Sequence, residues 1–263
     1  MYAIEYQRAK SVADAAAALA RSGGKALAGG QSLVGAMKLR LANPGTVIDL
    51  SGIAELKGIR KDGAAITIGA LTTHAEVASS TIVKQAIPAL AALAEGIGDR
   101  QVRNRGTIGG SLANNDPAAD YPAGVLALNA TVVTNKRKIA ADDFFKGMYE
   151  TALAADEIIT AVSFPVPKKA GYVKFPNPAS RFALVGVFVA QTGGAVRVAV
   201  TGAASHVHRS TAMESALAKN FSTDAAKAVK IPATNLNSDL HGSAEYRAHL
   251  VSVLAARAVA AAG

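Results

Sequence analysis

The sequence contains no cysteine in 263 residues. That excludes disulfides, a cysteine nucleophile, zinc–thiolate sites, cysteine-ligated iron–sulfur clusters and any cofactor tethered through sulfur. Redox chemistry here needs a bound cofactor or a partner chain. Tryptophan is also absent and aromatics make up 5%, so platforms for stacking single-stranded nucleic acid are scarce. Acidic residues are in deficit, 19 against 28 Lys and Arg, for a net charge of +9. The basic residues are scattered, with the densest group at Lys136-Arg137-Lys138, so no nucleic-acid partner is expected. An acidic protein partner or an anionic ligand accounts for the charge as well. The longest apolar runs, such as Phe182 to Ala190, fall well short of the roughly 18 residues of a membrane span. The opening MYAIEYQRAK carries Glu5 and no apolar core, which predicts no secretory signal and a cytoplasmic protein. No G-x-S-x-G elbow is present, so hydrolase chemistry has no support.

What is present is half apolar, enough for two or three lobes. Residues 11–22 predict a helix capped by Ser11 and stopped at Gly23-Gly24. A short strand at 25–28, helical turns from Ser32 to Leu41 and a strand at 46–50 complete a first α/β lobe, residues 1–56. In residues 57–170 the pattern predicts a strand at 65–69 and an apolar helix over 79–95 interrupted at Pro88. Helical residues 123–128 follow, then a hairpin turned at Asn135-Lys136 and a strand over 157–164. Proline breaks over 171–179 suggest a lobe boundary. In residues 171–263 the spacing predicts an antiparallel hairpin around Gly193-Gly194 and helices near 211–219 and 243–262. In the last helix Leu250, Val253, Leu254 and Arg257 form an apolar stripe with a charged shoulder.

Two segments resemble each other. Leu27-Ala-Gly-Gly-Gln-Ser32 and Thr107-Ile-Gly-Gly-Ser111 both place paired glycines after apolar residues and before serine. Paired glycines let successive N–H groups converge on one concavity that binds phosphate oxygens, and the serine adds a donor. Each pair could also be a plain turn; two copies favour one shared ligand gripped from both sides. Neither is a G-x-G-x-x-G fingerprint or a phosphate loop of the G-x-x-x-x-G-K-[ST] kind.

The segments AGGQSLVGAMKLRLANP, IGALTTHAEV, VRNRGTIGGSLANNDPAADYPA and HGSAEYRAHLVSVLAARA resemble the flavin-binding medium subunit of the molybdenum hydroxylases. That family contains aerobic carbon monoxide dehydrogenase and relatives of xanthine dehydrogenase. The resemblance implies an α+β protein, a two-subdomain PCMH-type FAD-binding fold followed by a C-terminal antiparallel sheet with helices. It implies non-covalent FAD. The first pyrophosphate loop falls on Ala28, Gly29, Gly30, Gln31 and Ser32, and the second on Thr107, Ile108, Gly109, Gly110 and Ser111. Asp120 matches an acidic residue that accepts from ribityl or ribose hydroxyls. Lys25 and Leu33 match positions along the adenine–diphosphate channel, Ile159 and Lys174 later contacts, and Phe182 an aromatic beside the flavin ring. Asn114-Asn115 and Phe182 depart from the commoner family residues at places that tune the flavin.

The resemblance also implies partners: a large molybdenum-cofactor subunit and a small iron–sulfur subunit, in a heterotrimer duplicated as a dimer of heterotrimers. The chain would pass electrons from the clusters to quinone, oxygen or NAD, with no catalytic acid or base of its own. A stand-alone FAD-dependent oxidoreductase of the same fold is the alternative. Asp99, Arg100, Arg103 and Arg105 suit phosphate neutralisation, partner docking or a solvated loop. His74 reads as a helix cap or a proton donor, and His206 and His208 as surface residues without a third metal ligand.

Overall fold

The computed structural model describes all residues, 1–263. The first layer is a three-stranded parallel sheet, β1 (Glu5–Arg8), β2 (Lys25–Leu27) and β3 (Thr46–Asp49), in the order β1-β3-β2. Parallel neighbours need crossovers, which α1 (Val12–Ser22) and α2 (Leu33–Lys38) supply. The Ser11 hydroxyl accepts the Asp14 N–H at the start of α1, and Gly23 at φ 62° ends it. Ala15, Ala18 and Leu19 bury against Ile48, Leu50, Ile53 and Leu56. All four residues of β1 are exposed, so the sequence offers no alternation by which to read that strand.

The second layer is antiparallel, ordered β4-β5-β10-β6-β7. It comprises β4 (Ile59–Asp62), β5 (Ala65–Gly69), β6 (Thr131–Thr134), β7 (Lys138–Ala140) and β10 (Ile159–Pro165). Between β5 and β6 lie α3 (His74–Ser79), α4 (Thr81–Ala86), α5 (Pro88–Glu95), α6 (Arg100–Arg103), α7 (Ile108–Asn114) and α8 (Tyr121–Ala127). The single helix expected over 79–95 is two helices: Ser80 accepts the Val83 N–H to begin α4, and Pro88 opens α5 where its missing N–H costs nothing. After β7 come α9 (Ala141–Phe144) and the small hairpin β8 (Phe145–Gly147) and β9 (Glu150–Thr151). Ile66, Ile68, Leu90, Leu93, Phe144 and Phe164 centre the largest core.

The third layer runs β11 (Lys169–Pro176), β12 (Ala183–Thr192), β13 (Ala195–Thr201) and β14 (His208–Arg209), in that order. Residues 171–176, expected as a proline-broken boundary, belong to continuous β11. Pro176 sits at its end, where the register shifts. The hairpin around Gly193-Gly194 is as expected, with φ values of 58° and 88°. Helices α10 (Thr211–Lys219), α11 (Thr223–Ala228) and α12 (Ala244–Ala261) follow. In α12, Leu250, Val251, Leu254 and Val259 cover one face of the sheet, while Val253 is only half-buried. The other face sends Phe188, Ala190 and Ala199 into the second layer's core, so β12 is buried on both sides. Arg197 fastens the join, donating to the Leu126 carbonyl at 2.9 Å and pairing with Asp142. No helix is long and apolar enough to cross a membrane.

Candidate cofactor site

The first glycine loop links β2 to α2, and its backbone is open. The amide N–H groups of Ala28, Gly29, Gly30, Gln31, Ser32 and Leu33 donate to no acceptor elsewhere in the chain. Six successive donors without an internal acceptor, with Gly30 at φ 77°, are what an anion nest at this loop would require. A cavity of about 350 Å³ lies over it, lined by Gly29, Gly30, Gln31, Val34, Lys38 and Arg105 among others. Gln31 and Ser32 are exposed, Ala28 and Leu33 half-buried, and Lys25 stands exposed at the head of β2.

The second loop has the same sequence pattern but a different geometry. Ile108 donates to the Thr72 carbonyl, Gly109 to Ala70, Gly110 to the Thr107 hydroxyl and Ser111 to the Thr107 carbonyl. These donors are spent within the chain, so the expected second nest is the capped first turn of α7. Its glycines are there for packing. A Cβ on Gly109 would stand 2.6 Å from the Ala70 side chain, and one on Gly110 would stand 2.9 Å from the Thr107 hydroxyl, with Ala28 beyond it at 3.6 Å. Only Gly30 of the four loop glycines has positive φ. The loops meet directly, since a Cβ on Gly29 would run into the carbonyl of Arg105.

A second polar cluster forms where the chain leaves α7 and enters α8. Asp120 is buried at its centre, accepting from the Tyr172 hydroxyl at 2.6 Å and pairing with the Lys174 ammonium at 2.9 Å. Burial pushes the Asp120 carboxyl up, against the pull of Lys174 and Tyr172, and the Tyr172 hydroxyl is pushed well above its usual range by burial and Asp120. Asp120 precedes α8, but its side chain makes no cap hydrogen bond there. Lys174 also donates to the Arg181 carbonyl, tying the cluster to the loop that carries exposed Phe182. Asn114 is half-buried at the end of α7. Ile159 is buried in the core beside Thr134, which leaves it only a backbone to offer.

The basic cluster before the second loop divides its tasks. Asp99 caps α6, Arg103 donates to the carbonyls of Ile97 and Gly98, and Arg105 alone lines the cavity. His74 is buried and caps nothing; Thr73 and Glu76 form the capping box of α3. The imidazole lies against Gly106 and 5.3 Å from the Tyr121 ring, and both His74 Nδ1 and the Tyr121 hydroxyl lack partners. Burial, aided by Arg103, lowers the His74 pKa to about 4. Sequence reasoning missed Tyr172 and Lys38. A lone tyrosine on a strand and a lysine at a helix end carry no signal. Asn115, left-handed at φ 44°, ends α7 and donates to the Gly147 and Glu150 carbonyls.

A loop with open amides and a buried carboxylate paired with a lysine are the two polar clusters of the candidate site. Residues 2–167 match the family described as the FAD binding domain in molybdopterin dehydrogenase, and residues 171–262 match the CO dehydrogenase flavoprotein C-terminal domain. The chain belongs to this family of FAD-binding oxidoreductase subunits. It is 40% identical to the nicotine 6-hydroxylase medium subunit of Paenarthrobacter nicotinovorans, covering 99% of this chain and 98% of that one. It is 37% identical to the carbon monoxide dehydrogenase medium chain of Hydrogenophaga pseudoflava, over 98% of this chain and 96% of that one. The solved carbon monoxide dehydrogenase from that organism superposes with a TM-score of 0.88, over 99% of this chain and 97% of the other at 37% identity.

Two outcomes follow from the buried groups. Asp120→Ala strands the Lys174 ammonium and Tyr172 hydroxyl, so the flavin-free chain should lose about 3 kcal/mol or more in chemical denaturation. Asp120→Ala combined with Lys174→Met should recover most of that loss; equal stability of wild type and the single variant would show the cluster to be solvated. His74 takes its proton near pH 6.5 unfolded and near 4 folded, so it draws stability down as pH falls through that window. His74→Phe should flatten that part of the stability–pH curve relative to wild type, and parallel curves would place His74 in water.

Proposed function

We propose that the chain binds one FAD non-covalently and carries electrons between an iron–sulfur partner subunit and an external acceptor. The observation that carries this reading is the row of unpaired amides from Ala28 to Leu33, opening on a cavity with two cationic side chains, in a chain of this family. Those amides suit a pyrophosphate, which supplies acceptors and no donors. The Gly109 and Gly110 segment closes the opposite side by packing, and Thr107, Ile108 and Ser111 hold it there. Asp120 has acceptor capacity left beyond Tyr172 and Lys174 for a sugar hydroxyl. Lys174 and Phe182 then border the ring end, with Lys25, Leu33 and Asn114 along the channel. FAD, when bound, takes up and releases electrons singly or in pairs; the chain binds, orients and shields it.

The three layers support a division into FAD-binding subdomains at 1–56 and 57–170 and a C-terminal domain at 171–263, because each sheet has a core cluster of its own. We assign the substrate site to another subunit. Relatives of this length are named for nicotine and for carbon monoxide, molecules too unlike for one shared surface to read. A large molybdenum-cofactor subunit and a small cluster-bearing subunit complete the proposed complex, a duplicated heterotrimer, in the cytoplasm. Without cysteine the chain has no cluster, so electrons enter across an interface.

The native complex should yield about one flavin per chain, released by acid and identified as FAD by chromatography, together with molybdenum and iron. The isolated chain should show no substrate-dependent bleaching of its flavin until both partners are added. Flavin retained by acid-precipitated protein, or FMN in its place, would contradict the binding mode. Turnover of an organic substrate by the lone chain at an ordinary rate, about 10 per second, would replace the subunit reading with a stand-alone flavoenzyme.

A further inference from the structure

The cavity over the first loop contains more than backbone. Lys38, the last residue of α2, and Arg105, which leads into the second loop, both line it. They come from opposite sides of the junction: Lys38 from the segment that follows the nest, Arg105 from the segment whose carbonyl abuts Gly29. Their neighbours in the basic cluster are engaged differently, since Arg103 donates to Ile97 and Gly98 and pairs with Glu95. Neither Lys38 nor Arg105 forms an ion pair with a carboxylate of the chain, although eleven such pairs occur in the molecule. No acidic side chain lines the cavity. Two cations without carboxylate partners thus share one cavity with Gly29, Gly30 and Gln31, whose amides are unpaired, which gives it surplus positive charge.

We propose that Lys38 and Arg105 are positioning residues that clamp the two pyrophosphate charges of FAD from opposite walls of the nest, a role that rests on the FAD reading above. The chemistry matches in number as well as sign, because a diphosphate diester carries one negative charge on each phosphorus at neutral pH. The amides orient the phosphate oxygens, and the cations supply the longer-range attraction that amides lack. Arg105 has a second consequence. It sits on the backbone that already touches Gly29, so its engagement with bound pyrophosphate adds a ligand-mediated tie between the two subdomains to the direct contact.

The test is FAD titration of the full chain stripped of flavin, followed by quenching of flavin fluorescence at low and high ionic strength. Lys38→Gln and Arg105→Gln should each weaken binding about tenfold at low salt, the loss of one charge-assisted contact. Each should also flatten the dependence of affinity on salt, because a screened interaction has been removed. Lys38→Arg and Arg105→Lys should restore most of both. Lys84→Gln, an exposed lysine on α4, is the control and should match wild type. Variants that bind within about twofold of wild type with the wild-type salt dependence would overturn the clamp. So would weakened binding with unchanged salt dependence and a lowered melting temperature of the flavin-free chain, the mark of a merely structural role. Wild-type chain that takes up no FAD sinks the underlying reading, whereas wild-type uptake with indifferent variants sinks the clamp alone.

Discussion

The close approach of two backbone segments, Gly29 against the Arg105 carbonyl, is the constraint on which the site depends. No side chain fits between them. That contact brings a loop of the parallel first layer against a helix start of the antiparallel second layer. The amides of Ala28 to Leu33 find no acceptor within the chain. The same contact places Gly110 opposite Ala28 and Arg105 beside Lys38. A methyl group at Gly29 would push the layers apart and open the cavity whether or not any ligand were present.

The two glycine pairs look alike in sequence and work differently in the structure. The first pair frees donors; the second pair spends them on Ala70, Thr72 and Thr107 so that α7 can lie close. Glycine serves backbone exposure in one case and removal of bulk in the other. One ligand surface and one buttress take the place of two equal jaws. The same division appears in the polar cluster at the far end of α7. Asp120 is held by Tyr172 and Lys174 of the third layer, so the C-terminal sheet contributes to the proposed cofactor site.

Much of this was legible in the sequence where a local signal existed. Ser11 with Gly23, Pro88 and Gly193-Gly194 marked their helix starts, stops and turns because capping and positive φ are local requirements. The exposed strand β1 and the continuous strand β11 were not legible. The first has no buried face to set a period, and the second carries Pro176 only at its end. For the proposed site, glycine pairing points to the two loops and the family motif to Asp120. The partners that give Asp120 its burial and charge lie far along the chain, on β11, and nothing local announces Tyr172. His74 illustrates the same limit: its place in the sequence suggested a cap, whereas tertiary packing buries it against Tyr121.

The central claim, that FAD is held by the open amides of the first loop, is tested most directly by residue-resolved amide hydrogen exchange with and without the flavin. The account predicts marked slowing at Gly29 to Leu33 on FAD binding. It predicts little change at Ile108, Gly109 and Gly110, whose N–H groups are already bonded within the chain. Unchanged exchange at Gly29 to Leu33, with slowing confined to the second loop, would contradict it.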